Sequence, residues 1–184
     1  MKKILYVSLF SLFLGFITTH CGTKLPKGQK AVDLPCFQDK YTSSRKDYIA
    51  SGRGASVDQV TSRKKAMMNA KSEIASLVRS NIRSLSDDYS ISRTIGNNEE
   101  FKSRFETITS ETVDEMLSDI KVACQELAFD KNTRQYNTYL ALSISKDQTA
   151  QQVMKKLSSQ DKKDMDLDYD KFRSLLDKDV PTNN

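Results

Sequence analysis

The sequence predicts an α+β fold in which a small antiparallel sheet is covered by a long amphipathic helix, with additional helices toward the C-terminal end. Three stretches carry that expectation. From Val57 to about Leu85 no Gly or Pro interrupts the chain, and Val60, Met67, Ala70, Ile74, Leu77 and Asn81 recur at the spacing of one helix face. From Ile120 to Ser145 two alternating runs flank the polar segment Asp130-Lys131-Asn132-Thr133, the pattern of an antiparallel hairpin with one apolar face to cover. Beyond it, Ala150, Val153, Met154 and Leu157, and then Met165, Tyr169, Phe172 and Leu176, keep helical spacing in an otherwise polar region.

Taken in chain order, Lys24 to Arg45 is rich in Lys, Pro, Gln and Asp and reads as an irregular lead-in. Asp47 to Gly54 reads as a short strand that Gly52 and Gly54 close in a turn, and Ser56 with Gln59 as a weakened capping box for the long helix. Its alanines allow close approach to a neighbouring layer. Asp87 to Thr94 suggests a short strand around Tyr89 and Ile91, followed by a turn at Gly96-Asn97-Asn98. Phe101, Phe105, Ile108, Thr112 and Met116 then predict a helix from about Glu99 to Glu115, weakened by its Ser and Thr content. In the hairpin, Ile120, Val122, Cys124 and Ala128 alternate with Lys121, Ala123, Gln125 and Leu127. In the return run, Tyr136, Thr138, Leu140, Leu142 and Ile144 share a face. Asp147 or Thr149 is expected to cap the helix carrying Ala150 to Leu157, and one further helix to carry Met165 to Leu176. The long helix should cover the hairpin and bury Ile74, Leu77, Leu140 and Leu142 against one another.

The N-terminal residues point to export. Lys2 and Lys3 precede an apolar run from Ile4 to Ile17, the arrangement of a secretory signal, and the run is shorter than the roughly 20 residues that span a bilayer. The segment Ile17-Thr18-Thr19-His20-Cys21-Gly22 resembles the lipobox of bacterial lipoproteins, with Thr18 and His20 departing from its usual small apolar residues. That resemblance implies cleavage before Cys21 and lipid attachment to it; the alternative is a plain secretory signal followed by a free cysteine. Stable anchoring needs more than one acyl chain. The expected organisation is a signal peptide over 1–20, a tether and lead-in over 21–46, an α+β domain over 47–158, and a C-terminal helix and tail over 159–184.

Charge and composition narrow the function. Without the first 20 residues the chain holds 27 basic and 24 acidic side chains, a small surplus on a mixed surface. No Lys/Arg stripe interleaved with aromatic residues is present, so nucleic acid is not an expected partner. The one histidine, His20, lies in the expected signal, which leaves no imidazole for a Ser/His/Asp or Cys/His arrangement or for a zinc site. The three cysteines are too far apart in sequence for an all-thiolate metal site. No catalytic, cofactor-binding or metal-ligating residue is therefore named. Asp87-Asp88, Glu99-Glu100 and the set Asp164, Asp166, Asp168 and Asp170 could in principle serve glycoside hydrolysis or hold Ca²⁺, but the last set lacks the central Gly and distal Glu of a calcium loop and reads as the solvated start of a helix. Gly52-x-Gly54 lacks the third glycine of a phosphate cradle.

Ser51-Gly52-Arg53-Gly54-Ala55, followed by the alanine-rich helix from Arg63 to Ala75, resembles the LPP20-type bacterial lipoproteins, related in fold to the N-terminal domain of the flagellar protein FlgT. Ile120-Lys121-Val122, Tyr136 to Ile144 and the helix that follows match that family's hairpin and closing helix, so the resemblance covers about Tyr48 to Leu157. It implies a small α+β domain on an envelope lipoprotein without enzyme activity. The expected function is thus a noncatalytic binding or structural module, anchored to the outer membrane through Cys21, with an envelope protein or glycan as partner. The alternative is a hydrolase of cell-wall or surface glycan using a carboxylate pair.

Export also permits disulfides. Cys36 in the lead-in and Cys124 in the hairpin, on the face of Val122 if alternation holds, form one candidate pair, which requires Cα atoms about 4.4 to 6.8 Å apart. Otherwise Cys124 is an ordinary buried small residue and Cys36 is free or paired elsewhere.

Overall fold

A computed structural model describes residues 28–30, 32–92, 98–164 and 167–177, and every element below lies in the unit Asp33–Asn184. After a 3-10 turn at Asp39–Tyr41 come β1 (Asp47–Ser56), α1 (Gln59–Ser92), α2 (Asn98–Ser118), β2 (Lys121–Asp130), β3 (Gln135–Ser145), α3 (Lys146–Lys156), α4 (Ser159–Asp164) and α5 (Tyr169–Leu175). The strands form one antiparallel sheet in the order β1-β3-β2. The fold is α+β, with α1 packed on β1 and β3.

The glycines of β1 do not make a turn. The strand runs straight through Gly52 and Gly54, which pair with Leu140 and Thr138 of β3. Their role is close approach: a Cβ on Gly52 would stand 2.4 Å from the backbone N of Ala70, and one on Gly54 would stand 2.1 Å from the backbone O of Ser62. Because the strand continues to Ser56, the helix starts later than the capping-box reading placed it. Asp58 is the cap, its carboxylate accepting from the Thr61 amide at 2.7 Å, while Ser56 only accepts from the Asp58 amide.

The buried stripe of α1 is Ser62, Ala66, Ala70, Ile74, Val78 and Ile82, with Ala75, Asn81 and Leu85 beside it. Steps of four overshoot one turn, so this stripe winds slowly around the helix. Val60 and Leu77 fall off it and are 59% and 37% exposed, contrary to the expectation that Leu77 packs in the core. The expected strand around Tyr89 and Ile91 is instead the last part of α1, since nothing after Leu85 breaks the helix and extending one costs little. Thr94 and the Gly96-Asn97 part of the expected turn lie outside the described residues, and Asn98 already begins α2. In α2, Phe101, Phe105 and Val113 are buried, and the buried hydroxyl of Thr109 donates to the Phe105 carbonyl at 2.7 Å.

Central strand β3 presents Leu140, Leu142 and Ile144 to the main core and Tyr139 and Ala141 to the opposite face. There a second, smaller core gathers Cys36, Tyr139 and Ala141 with Leu34, Tyr41, Ile49 and Cys124. A bulge between Val122 and Cys124 sets Val122 opposite Leu142 but Cys124 opposite Ala141, so these two residues do not share a face.

Ser145, not Asp147 or Thr149, caps α3, accepting from the Gln148 amide. The helix expected over Met165 to Leu176 is α5, which starts later: Asp168 caps it by accepting from the Lys171 amide at 2.8 Å, and the separate short helix α4 ends before Met165. Met165 itself and the 178–184 tail lie outside the described residues. Phe172 and Leu176 join the main core.

Leu140 is fully buried beneath α1. Leu140→Ala is expected to lower the unfolding free energy by about 2 to 5 kcal/mol, read from the urea midpoint at unchanged slope. An unshifted midpoint would contradict its place in the core.

Candidate interaction surface

A three-stranded sheet has two outer edges, and each leaves a row of backbone donors and acceptors without strand partners. In β1 these belong to the odd-numbered residues, and the protein closes both groups of Asp47 and Ile49 and the carbonyls of Arg53 and Ala55. Ser44 bonds both backbone groups of Asp47: its amide donates to the Asp47 carbonyl at 2.9 Å and its Oγ accepts from the Asp47 amide at 3.2 Å. Ser43 does the same for Ile49 through Oγ, accepting from the amide at 3.0 Å and donating to the carbonyl at 3.2 Å. From α1, Asn69 donates to the Arg53 carbonyl at 2.8 Å and Lys65 to the Ala55 carbonyl at 3.2 Å.

The edge of β2 is different. Since odd residues of β1 face outward, its even residues bond β3 at Thr138, Leu140, Leu142 and Ile144, and β3 turns its other groups toward Cys124, Glu126 and Ala128. The outward backbone groups of β2 are therefore those of Gln125, Leu127 and Phe129. Among the described residues nothing closes this edge.

The side chains on the strand strengthen the contrast. Val122, Gln125, Leu127 and Phe129 project on the side of the sheet that carries α1, opposite Leu142, Leu140, Thr138 and Tyr136. The helix lies over β1 and β3 and leaves Val122, Leu127 and Phe129 49%, 43% and 52% exposed. Phe129 stacks against Tyr136 with ring centroids 5.0 Å apart. The result is a partly apolar strand, regular from Cys124 to Asp130, with an open edge, a surface suited to strand addition.

The residues singled out from sequence fall elsewhere. Cys21 lies outside the described residues. Cys36 and Cys124 form a disulfide with Cα atoms 5.5 Å apart, and it ties the lead-in to the face of the sheet opposite α1. The side chains of Asp87, Asp88, Glu99 and Asp164, and Asp166 as a whole, lie outside the described residues, while Glu100 pairs with Arg104 at 3.0 Å and Asp168 is the α5 cap. No cluster suited to a metal ion occurs among the described residues, and no helix there is long and apolar enough to cross a membrane.

A cleft of about 270 Å³ between α1 and α2 is lined by Arg79, Arg83, Lys102, Phe105, Glu106, Thr109 and Ser110. Glu106 is the one carboxylate among the described residues that line it, and it pairs with Arg83 at 3.4 Å. Glycoside hydrolysis needs two carboxyl groups facing a cleft, one of them held protonated by a raised pKa. Among the described residues the displaced carboxylates move the other way. A hydrogen bond from the Thr61 side chain holds Asp58 below its ordinary value, and one from the Thr133 side chain does so for Asp130. Burial pushes Asp161 up, but the Ser158 hydroxyl and the Arg104 guanidinium, 2.9 Å away, outweigh it and leave the group lowered. These groups cap helices and turns.

Sequence reasoning also missed Lys146, which is 1% exposed. Its Nζ donates to the Leu176 carbonyl at 2.6 Å and lies 5.0 Å from the centre of the Tyr48 ring, while the Tyr48 hydroxyl donates to Asn81 at 2.5 Å. A lysine at the first position of a helix carries no sequence signal for burial. The open β2 edge had none, since the sequence pattern set the long helix over the whole hairpin, whereas α1 lies over β1 and β3 and leaves Leu127 and Phe129 exposed. No family model, curated protein or solved structure matches the chain.

Proposed function

We propose that this chain is a noncatalytic module of the bacterial envelope, lipid-anchored at Cys21 on the outer membrane, that takes a protein partner along the open edge of β2. The observation that carries the reading is the unequal treatment of the two sheet edges: one is plugged by Ser43, Ser44, Lys65 and Asn69, while the other is left open beside Leu127 and Phe129. A plugged edge is the usual defence against stray pairing, so an open one of this length fits a surface that is covered in use. The basic, apolar N-terminal segment, the lipobox-like residues and the resemblance to LPP20-type lipoproteins support the location. A disulfide between the lead-in and the sheet fits an oxidising compartment.

The test uses the full chain in cells. A photo-crosslinking phenylalanine analogue at Phe129 is expected to give a discrete covalent protein adduct, while the same analogue at exposed Glu73 on α1 gives none. Labelled palmitate should enter the wild type and be lost from Cys21→Ala. Equal adducts from both positions, or none from Phe129, would overturn the docking surface; absence of label at Cys21 would overturn the anchor.

A further inference from the structure

We infer that the partner on β2 is a second copy of this chain, added antiparallel about a two-fold axis at Leu127 to give a continuous six-stranded sheet. The inference rests on the proposed docking edge and names its occupant. It comes from asking which self-pairings of β2 satisfy backbone, side-chain faces and charge together.

Only registers that set outward-facing residues opposite one another can bond, so Gln125, Leu127 and Phe129 must meet the same set from the second copy. Centring the axis on Glu126 would put two like charges directly opposite each other. Centring it on Ala128 would put Glu126 opposite Asp130. Both are destabilising. Centring on Gln125 would draw the Val122/Cys124 bulge into the pairing, and centring on Phe129 would run past Asp130, where the strand ends. The axis at Leu127 avoids all four faults. It pairs the whole regular segment from Cys124 to Asp130 with itself, setting Leu127 opposite Leu127, Gln125 opposite Phe129, Glu126 opposite Ala128 and Cys124 opposite Asp130.

In this register each outward pair exchanges two backbone hydrogen bonds. The half-exposed Leu127 and Phe129 of each copy adjoin across the axis, forming one apolar strip that continues into Tyr136. The strand has no proline, and its charged residues fall opposite neutral ones. The edge is thus complementary to itself in one register.

Cysteine trapping in the full chain reads that register directly. In a Cys21→Ser background, Leu127→Cys should form a disulfide-linked dimer on mild oxidation, because directly opposed residues of such a pair lie about 5.5 Å apart, within disulfide range. Gln125→Cys and Phe129→Cys should stay monomeric alone and link only when the two chains are mixed. Glu73→Cys is the background control. In sedimentation, Leu127→Lys should halve the mass of the parent chain without changing its circular dichroism, since the side chain lies at the surface. A parent chain that stays monomeric at hundreds of micromolar with no Leu127→Cys link would overturn the inference. So would a link between position 125 of one chain and 127 of another. If the Phe129 photo-crosslinker still captures a different protein while these traps fail, the docking edge stands and the second copy does not.

Discussion

Gly54→Ala is expected to cost more than about 3 kcal/mol, at or beyond the upper end of ordinary overpacking effects and a large share of a typical domain's 5 to 15. The added Cβ would stand 2.1 Å from the Ser62 carbonyl and 2.5 Å from the Ala66 amide nitrogen; Gly52→Ala would meet the Ala70 amide nitrogen at 2.4 Å and the Ala66 carbonyl at 2.5 Å. These neighbours are helix backbone, not side-chain ends, so no rotamer change relieves the clash. The helix would have to lift from the strand, opening space over Leu140 and Leu142. Urea denaturation of both variants checks this, and the pair Gly52→Ala with Ala66→Gly should be at least as destabilised as Gly52→Ala alone, because the Ala66→Gly change relieves no backbone clash and weakens the helix. A midpoint within error of wild type, or rescue by Ala66→Gly, would show that the helix does not sit on the strand as described. The same proximity explains why α1 carries Ser62, Ala66 and Ala70 where it crosses β1.

Replacing both Cys36 and Cys124 with serine is expected to lower stability by about 2 to 5 kcal/mol. The bond closes a loop with a sequence separation of 88, for which chain entropy alone gives about 4.5 kcal/mol. The local effect should exceed that of a generic cross-link. Leu34, Tyr41 and Ile49 pack on Tyr139 and Ala141 beside the bond, and without it the lead-in has few other apolar contacts to hold it there. Guanidinium unfolding of the oxidised wild type against the double variant gives the number. Hydrogen exchange at Ile49 and Tyr139 tests the local part. A loss under about 1 kcal/mol with unchanged exchange would mean that the lead-in docks without its covalent link.

The architecture was legible because the strongest signals were periodic and uninterrupted. The run from Val57 to Leu85 admits no breaker, and Tyr136 to Ile144 alternates cleanly, so the helix and the hairpin follow from pattern alone; their packing does so only in part, because α1 lies over β1 and β3 and leaves β2 uncovered. Errors arose where one residue type serves two purposes. Gly52 and Gly54 read as punctuation because glycine often ends strands, whereas here it lets a helix backbone approach. Leu77 read as core because it is large and apolar, while the buried stripe passes through Val78, one position away. The bulge at Val122 and Cys124 inverted the expected face of the cysteine, and alternation alone cannot show an inserted residue. The candidate surface was less legible still, since an edge is defined by what fails to cover it. Ser43, Ser44, Lys65 and Asn69 plug β1 from positions that only the fold brings near.

The bond between Cys36 and Cys124 also decides how the protein would carry mechanical load. Tension applied to the chain on the N-terminal side of Cys36 crosses the disulfide directly into β2 and continues through the hairpin into β3. Residues 37–123, which include β1, α1 and α2, lie inside the closed loop and are bypassed. Under the proposed anchor at Cys21, the pull would reach the sheet without peeling β1 or drawing out the helix packed on its glycines.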